Sequence, residues 1–351
     1  MAPSFIDIAG RKVGPGKPCF IIAEAGVNHN GSVELALKMI DAAKTAGVDA
    51  IKFQTYRAER IVTGSAPLAE YQKQATGIDQ SQLHMLKRLE LSSEVHRELQ
   101  EYCRQRDLLF LSTPFDEISA DFLEELGMRA FKIPSGEITN LPFLEYVARK
   151  GTPMIISTGM SKLSEVEAAV AAVRQAGDTE FVLLHCVSAY PADPTQVNLR
   201  AMLTLAEAFD VPVGYSDHTL GDEIAFAATA LGACVIEKHF TLDRNLPGPD
   251  HKASLEPEGM TALVHGIRTV EGALGHGRKE PAPCEIDAAM VSRKSIVSAH
   301  HITEGTILTE ELIAFRRPGT GLPPPKLSLL LGRKAIRDIP PGTLLTLEML
   351  A

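Results

Sequence analysis

Two histidines occupy matching places in the chain. YSDHT carries Ser216 and His218, EKHF carries His239, and each motif follows a short apolar run. If the runs are neighbouring parallel strands, roughly 5 Å apart, both imidazoles can reach one ion. Two imidazoles with open positions for water and substrate suit manganese, zinc or a similar metal; nitrogen ligands disfavour magnesium. A histidine at a strand end can equally be a hydrogen-bonded polar group, so the pair alone leaves both readings open. Lys52 and Lys132 sit inside otherwise apolar runs, where an unpaired charge is expensive. Each could form a structural ion pair with Glu24 or Glu137. The favoured reading is a phosphate or carboxylate site, with Ser135, Ser157, Ser188 and Ser216 as hydrogen-bond donors. Glu24 stands near Asn28 and His29 and could align a water or shuttle a proton. Glu137 could orient a substrate hydroxyl. Asp217 and Asp250 are further candidate carboxylates, and an acid that only balances a lysine is the alternative throughout.

These residues need a scaffold. Apolar runs at 20–25, 50–53, 108–112, 130–133, 154–157, 181–185, 211–214 and 234–237 read as strands and alternate with helix-like segments. In SVELALKMIDAAKTAG, Leu35, Met39, Ala43 and Ala46 share a face, Ser32 can cap the start and Gly47 can end the helix. Eight such units predict an α/β fold, a (β/α)8 TIM barrel. A doubly wound sheet is the alternative, but no Gly-rich dinucleotide fingerprint follows the first strand. Every strand is followed by a polar cluster (AEAGVNHNG, KFQTY, STPFD, KIPSGE, STGMS, HCVSAYP, YSDHT, EKHFT) denser in reactive groups than a turn requires. Barrel active sites form at this C-terminal face.

The barrel is predicted over 1–275. Residues 276–292, with two prolines, read as a linker. Residues 293–351 change character: ITEGTILT and IPPGTLLT are similar patterns and predict a small pseudo-symmetric domain of short strands and turns. The chain has 351 residues, 45% of them apolar, and a net charge of −9. That charge argues against a nucleic-acid partner. It leaves room for a small anionic substrate held by local cations. No secretory signal is visible and no apolar run approaches a membrane span of about 18 residues. The five scattered cysteines form no CxxC pair and read as reduced thiols of a cytoplasmic protein.

Taken in order, FIIAEAGVNHNGS, KFQTY, FLSTPFD, KIPSGEITNLP, IISTGM, LLHCVSAYP, VNLRAM, GYSDHT, EKHFTLD and GPDHKASLEP resemble the bacterial N-acetylneuraminate (sialic acid) synthase family, whose members also make legionaminic and pseudaminic acids. The tail, with RKSIV, EGTILT, RRPGTG and GRKAIRDIPPGT, is similar to the antifreeze-like (SAF) domain of those enzymes. The resemblance implies condensation of phosphoenolpyruvate with an N-acylated amino sugar, giving a nine-carbon 2-keto acid and phosphate by C–O cleavage. It implies that Lys52, Lys132, Ser135, Ser157 and Ser216 hold phosphoenolpyruvate, with Ser188 at a place where some relatives have Asn. His218 and His239 would bind a divalent metal, manganese first, with magnesium or cobalt as alternatives. Gln54, Thr113, Phe115, Glu137, Tyr190 and Asp250 would line the sugar site. Arg317 would reach the N-acyl group from a partner subunit in a domain-swapped homodimer. Glu24, Lys52, Lys132 and Glu137 are the catalytic candidates, with Glu24 or the metal supplying the water that adds at C2. N-acetylmannosamine is the first expected sugar; 2,4-diacetamido-2,4,6-trideoxymannose, giving diacetyllegionaminate, is the alternative. Aldose-phosphate condensing synthases share the chemistry but lack the tail.

Overall fold

The computed structural model describes residues 5–69, 73 and 81–351. The chain divides into two compact units, 1–275 and 276–351.

The first unit is an eight-stranded, all-parallel barrel, nearly closed. A hairpin of β1 (Ile6–Ile8) and β2 (Arg11–Val13) precedes it, and its Ile6, Ile8 and Val13 are buried in the barrel's core. The barrel strands are β3 (Phe20–Gly26), β4 (Ala50–Thr55), β5 (Leu109–Pro114), β6 (Phe131–Ile133), β7 (Met154–Ser157), β8 (Phe181–Cys186), β9 (Val213–Asp217) and β10 (Val235–His239). Their ladder runs β5-β4-β3-β10-β9-β8-β7-β6. Strands β5 and β6 lie side by side without a ladder. All eight expected runs are strands. The seventh begins later than its apolar pattern because Pro212 has no N–H to give a ladder, and it runs on through Ser216 to Asp217. The strands are buried on both faces, as parallel strands under a helical layer must be.

The helix Val33–Ala46 starts at Ser32, whose hydroxyl accepts from the Leu35 amide, and stops at Gly47 with φ 81°. That left-handed turn favours glycine. Its buried face is Ala36, Met39, Ile40, Ala43 and Ala46, so Leu35 lies at the edge of the stripe rather than within it.

In the second unit, the stretch read as a linker is partly helical, with a helix over Ile286–Ser292. Pro283 does not break it; it opens the preceding 3₁₀ turn at a position where no N–H is needed. β11 (Ser295–Ser298) pairs antiparallel with β12 (Ile313–Arg316). The two similar patterns follow the same course. Ile302 and Ile339 bridge one another, Gly305 and Gly342 both turn at positive φ, and Leu308 and Leu345 are buried in one small core. Each pattern then enters a 3₁₀ turn, Glu310–Leu312 and Leu347–Met349.

Candidate active site

Register alone assembles the centre of the barrel mouth. Glu24 on β3 lies beside Lys52 of β4 on one side and His239 of β10 on the other. Ser216 of β9 lies between Glu237 of β10 and Cys186 of β8. Alternation along a strand sends Glu237 and His239 to the same, inward face. A bulge after Glu24 shifts the β3–β4 pairing. There Gly26 adopts φ 51°, and a Cβ would fall 3.1 Å from Glu24 Oε1, so the backbone bends closely around that carboxylate.

A cavity of about 650 Å³ opens here. Every barrel residue named above from the family resemblance lines it: Glu24, Lys52, Gln54, Thr113, Phe115, Lys132, Ser135, Glu137, Ser157, Ser188, Tyr190, Ser216, His218, His239 and Asp250. Asp217 does not. It faces outward and pairs with Lys238 at 2.7 Å. Arg317 belongs to the second unit, where its Nε donates to the Ser292 carbonyl at 3.1 Å.

Both lysines are 3% exposed. Lys52 pairs with Glu24 and donates to Thr113 Oγ1 at 3.0 Å. Lys132 does not pair with Glu137, which instead accepts from Asn140 at 2.7 Å. Its partner is Glu237 Oε1 at 3.1 Å, and Glu237 Oε2 stands 3.7 Å from Lys52. Glu237 is thus central to the site, and the sequence reading missed it. The signal was present: an acid inside the apolar run CVIEKHF, two residues before a histidine.

Burial pushes Glu237 up, but the two ammoniums outweigh it and hold the carboxyl near 2. Burial pushes Glu24 up as well. Lys52 offsets this only in part while Glu237 adds to it, and the carboxyl sits at about 7, where it can exchange a proton near neutrality. Burial raises Asp250 to about 6.

The serines are not equivalent. Ser135 Oγ accepts the Gly159 amide at 2.9 Å and also hydrogen-bonds with the Cys186 thiol. Ser157 Oγ is buried without a partner. Ser216 already donates its hydrogen to Glu237 at 3.0 Å. A Cβ on Gly159 would lie 2.3 Å from Ser188 Oγ and 2.7 Å from Ser135 Oγ, so only glycine leaves the space among these hydroxyls open.

The two imidazoles have ring centroids 5.2 Å apart, with the Tyr190 ring tilted 38° to His218 at a centroid distance of 4.1 Å. His218 Nδ1 contacts the Val187 carbonyl at 2.7 Å. A carbonyl only accepts, so Nδ1 carries a hydrogen and Nε2 is the nitrogen left for a metal. Burial pushes the His218 imidazole down, but Cys186 outweighs it and holds it above the usual histidine range. His239 Nδ1 is buried without a partner. Burial, and then the neighbouring His218, hold His239 well below the usual histidine range, so it stays neutral. The pair fits a metal that takes two nitrogens from the protein. Among the described residues no group of three or more His, Cys, Asp or Glu is placed to hold one.

The profile of the NeuB family matches residues 39–279, and that of the SAF domain residues 293–351. The chain belongs to the NeuB family. It is 47% identical to the N,N'-diacetyllegionaminic acid synthase of Legionella pneumophila over 97% of this chain and 98% of that one. It is 40% identical to the human N-acetylneuraminate-9-phosphate synthase, over 93% and 91%. The crystal structure of the N-acetylneuraminic acid synthetase of Leptospira borgpetersenii superposes with a TM-score of 0.73 at 39% identity, covering 82% of this chain and 95% of that one. The enzyme is therefore a phosphoenolpyruvate-dependent condensing transferase that makes nonulosonic acids from an amino sugar. No helix among its described residues is long and apolar enough to cross a membrane.

Proposed function

We propose that the enzyme condenses phosphoenolpyruvate with 2,4-diacetamido-2,4,6-trideoxymannose, releasing N,N'-diacetyllegionaminate and phosphate. N-acetylmannosamine, the first expectation from sequence, becomes the second. One observation carries the choice: Val27, Ile61, Val62, Met85, Leu86 and Leu89 make one wall of the cavity apolar. Such a wall suits the methyl group of a 6-deoxy sugar, whereas a C6 hydroxyl there would lose water without gaining a partner. A 6-phosphate is disfavoured further. Arg57 is tied to Glu90 at 3.0 Å and Arg60 to Glu117 at 3.1 Å, and the described lining offers no cation beyond the two lysines and two histidines. The likeness to the Legionella enzyme supports the same reading.

In this reading Lys52, Lys132, Ser135 and Ser157 hold phosphoenolpyruvate, and Ser216 joins them by turning its hydroxyl from Glu237. His218 and His239 would hold a divalent metal, manganese first and magnesium or cobalt as alternatives, which would supply Lewis-acid polarisation of the sugar aldehyde. C3 of the enol attacks the aldehyde carbon, a step that needs positioning more than a base. Water adds at C2, and Glu24 is the group suited to accept its proton. Phosphate leaves by C–O cleavage while the two ammoniums stabilise its charge. Gln54, Phe115, Glu137, Tyr190 and Asp250 surround the sugar, with Thr113 held to the lysine end by its bond to Lys52. Arg317, in RRPGTG, is proposed to take the N-acyl group across a domain-swapped homodimer. Arg317→Ala should then raise KM for the sugar far more than for phosphoenolpyruvate.

Phosphate release with the trideoxy sugar, N-acetylmannosamine and its 6-phosphate tests the assignment. The trideoxy sugar should win by more than about tenfold in kcat/KM, roughly 1.4 kcal/mol in transition-state binding. A chelator should stop turnover and manganese restore it. A tenfold preference for N-acetylmannosamine overturns the proposal.

A further inference from the structure

We propose that Glu237 is a positioning residue of the condensation: its carboxylate holds Lys52 and Lys132 at the separation that receives phosphoenolpyruvate. This rests on phosphoenolpyruvate binding at the lysine end of the cavity, not on which sugar follows it.

The geometry gives Glu237 a place no other acid has among the described residues. It lies 3.1 Å from Lys132 and 3.7 Å from Lys52, whereas Glu24 pairs with Lys52 alone. Among the described residues Lys132 has no second ion-pair partner. Two buried ammoniums repel one another, and an anion between them sets how far apart they stand. The carboxylate is itself anchored. Ser216 donates to Oε1 at 3.0 Å, and the parallel ladder places the two residues side by side.

Glu237 is also 5% exposed, and its Oε2 is buried without a hydrogen bond. It lines the same cavity as the two lysines, and its ion contacts there are with those two ammoniums, so it acts through them. An anion entering from the open side meets two charges already spaced to take a carboxylate and a phosphate. Such pre-set positioning is where binding affinity is gained or lost.

A counter-ion with only a structural task would be a different thing, and kinetics separate the two. The test uses the full-length, metal-loaded enzyme and the variants Glu237→Gln and Glu237→Asp. Phosphoenolpyruvate binding is measured by calorimetry, and KM for both substrates by phosphate release. Glu237→Gln keeps the shape and loses the charge. It should raise Kd and KM for phosphoenolpyruvate at least tenfold while KM for the sugar stays within twofold. Glu237→Asp keeps the charge on a shorter arm and should recover part of the loss. Should Glu237→Gln not fold, Glu237→Asp carries the test, with a threefold or greater loss of phosphoenolpyruvate affinity expected and unchanged affinity counting against the proposal. Tighter phosphoenolpyruvate binding in Glu237→Gln would overturn it, since the carboxylate would then only repel the substrate. Equal losses for both substrates, or a lowered melting temperature with unchanged constants, would reduce Glu237 to a structural counter-ion. If the wild-type enzyme turns over none of the sugars, the sugar assignment fails, and the calorimetric arm still decides this one.

Discussion

Strands β9 and β10 each carry polar groups on both faces, and the two faces are built differently. On the outer face Lys238 and Asp217 are fully buried. Lys238 Nζ reaches Asp217 Oδ2 at 2.7 Å and the Thr219 carbonyl at 2.6 Å, while Asp217 Oδ1 accepts both the amide and the hydroxyl of Thr219. Both carboxylate oxygens are occupied. On the inner face Glu237 Oε2 and His239 Nδ1, with Ser157 Oγ of β7 beside them, are buried without hydrogen bonds, around a cavity. Unmet polar groups are rare in folded interiors. Tyr215 Oη, on the outer face of β9, is buried unmet as well, so what separates the faces is that the unmet inner groups line a cavity while Lys238 and Asp217 satisfy one another.

If so, the two faces should fail differently. Lys132→Met on the inner face should lower kcat/KM by about a thousandfold, roughly 4 kcal/mol of transition-state stabilisation, with little change in melting temperature, because Glu237 keeps Lys52 as a partner. Phosphate release and a thermal melt on the same preparation check both halves. A large drop in stability with modest loss of rate would break the comparison.

Lys238→Met on the outer face should do the reverse. Removing one member leaves Asp217 charged and buried, at a cost of about 3–5 kcal/mol of stability, while kcat per folded molecule holds. The double variant Lys238→Met with Asp217→Leu should lose less than the single one, because no uncompensated charge remains. Denaturant titration of the three proteins measures this, and additive losses would mean the pair is not a closed unit.

Gly159→Ala sharpens the inner side. The new methyl would press on Ser188 and Ser135, so KM for phosphoenolpyruvate should rise about tenfold, roughly 1.4 kcal/mol, with KM for the sugar little changed.

Much of this contrast could be read in the sequence. Strand and helix positions follow from local patterns of period 2 and 3.6, and the Ser32 cap and the paired ITEGTILT and IPPGTLLT turns from cap and turn chemistry, whereas the sugar-side residues Gln54, Thr113, Phe115 and Tyr190 were named from the family resemblance. Strand parity also separates Ser216 and His218 from Asp217, and Glu237 and His239 from Lys238, yet Asp217 passed as a candidate carboxylate because parity depends on where the strand ends. β9 runs through Ser216 to Asp217, beyond its apolar pattern. Partner choice was not legible. Glu137 lies five residues from Lys132 and looked like its counter-ion, but a 3₁₀ turn over Ser135–Glu137 carries it away. The true partner arrives from β10, more than a hundred residues on, through closure of the barrel. The sugar was also undecided, because its apolar wall combines the loops after β3 and β4 with a separate helix, Gln82–Leu89.

The smallest expected effect probes the outer face most finely. Thr219→Val removes one hydroxyl bond to Asp217, at 2.7 Å, and leaves the amide bond at 2.9 Å and the contact with Lys238 in place. The valine fills nearly the same volume, so no cavity forms. One lost hydrogen bond to a still-paired carboxylate is worth about 1 kcal/mol, read as a shift in the denaturant midpoint at constant slope. Thr219 follows His218 directly, so the variant also asks whether the outer staple tunes the inner site. The closed-face reading predicts unchanged kcat and unchanged manganese affinity. A shift in manganese affinity by more than threefold would show that the two faces are coupled through the backbone of β9.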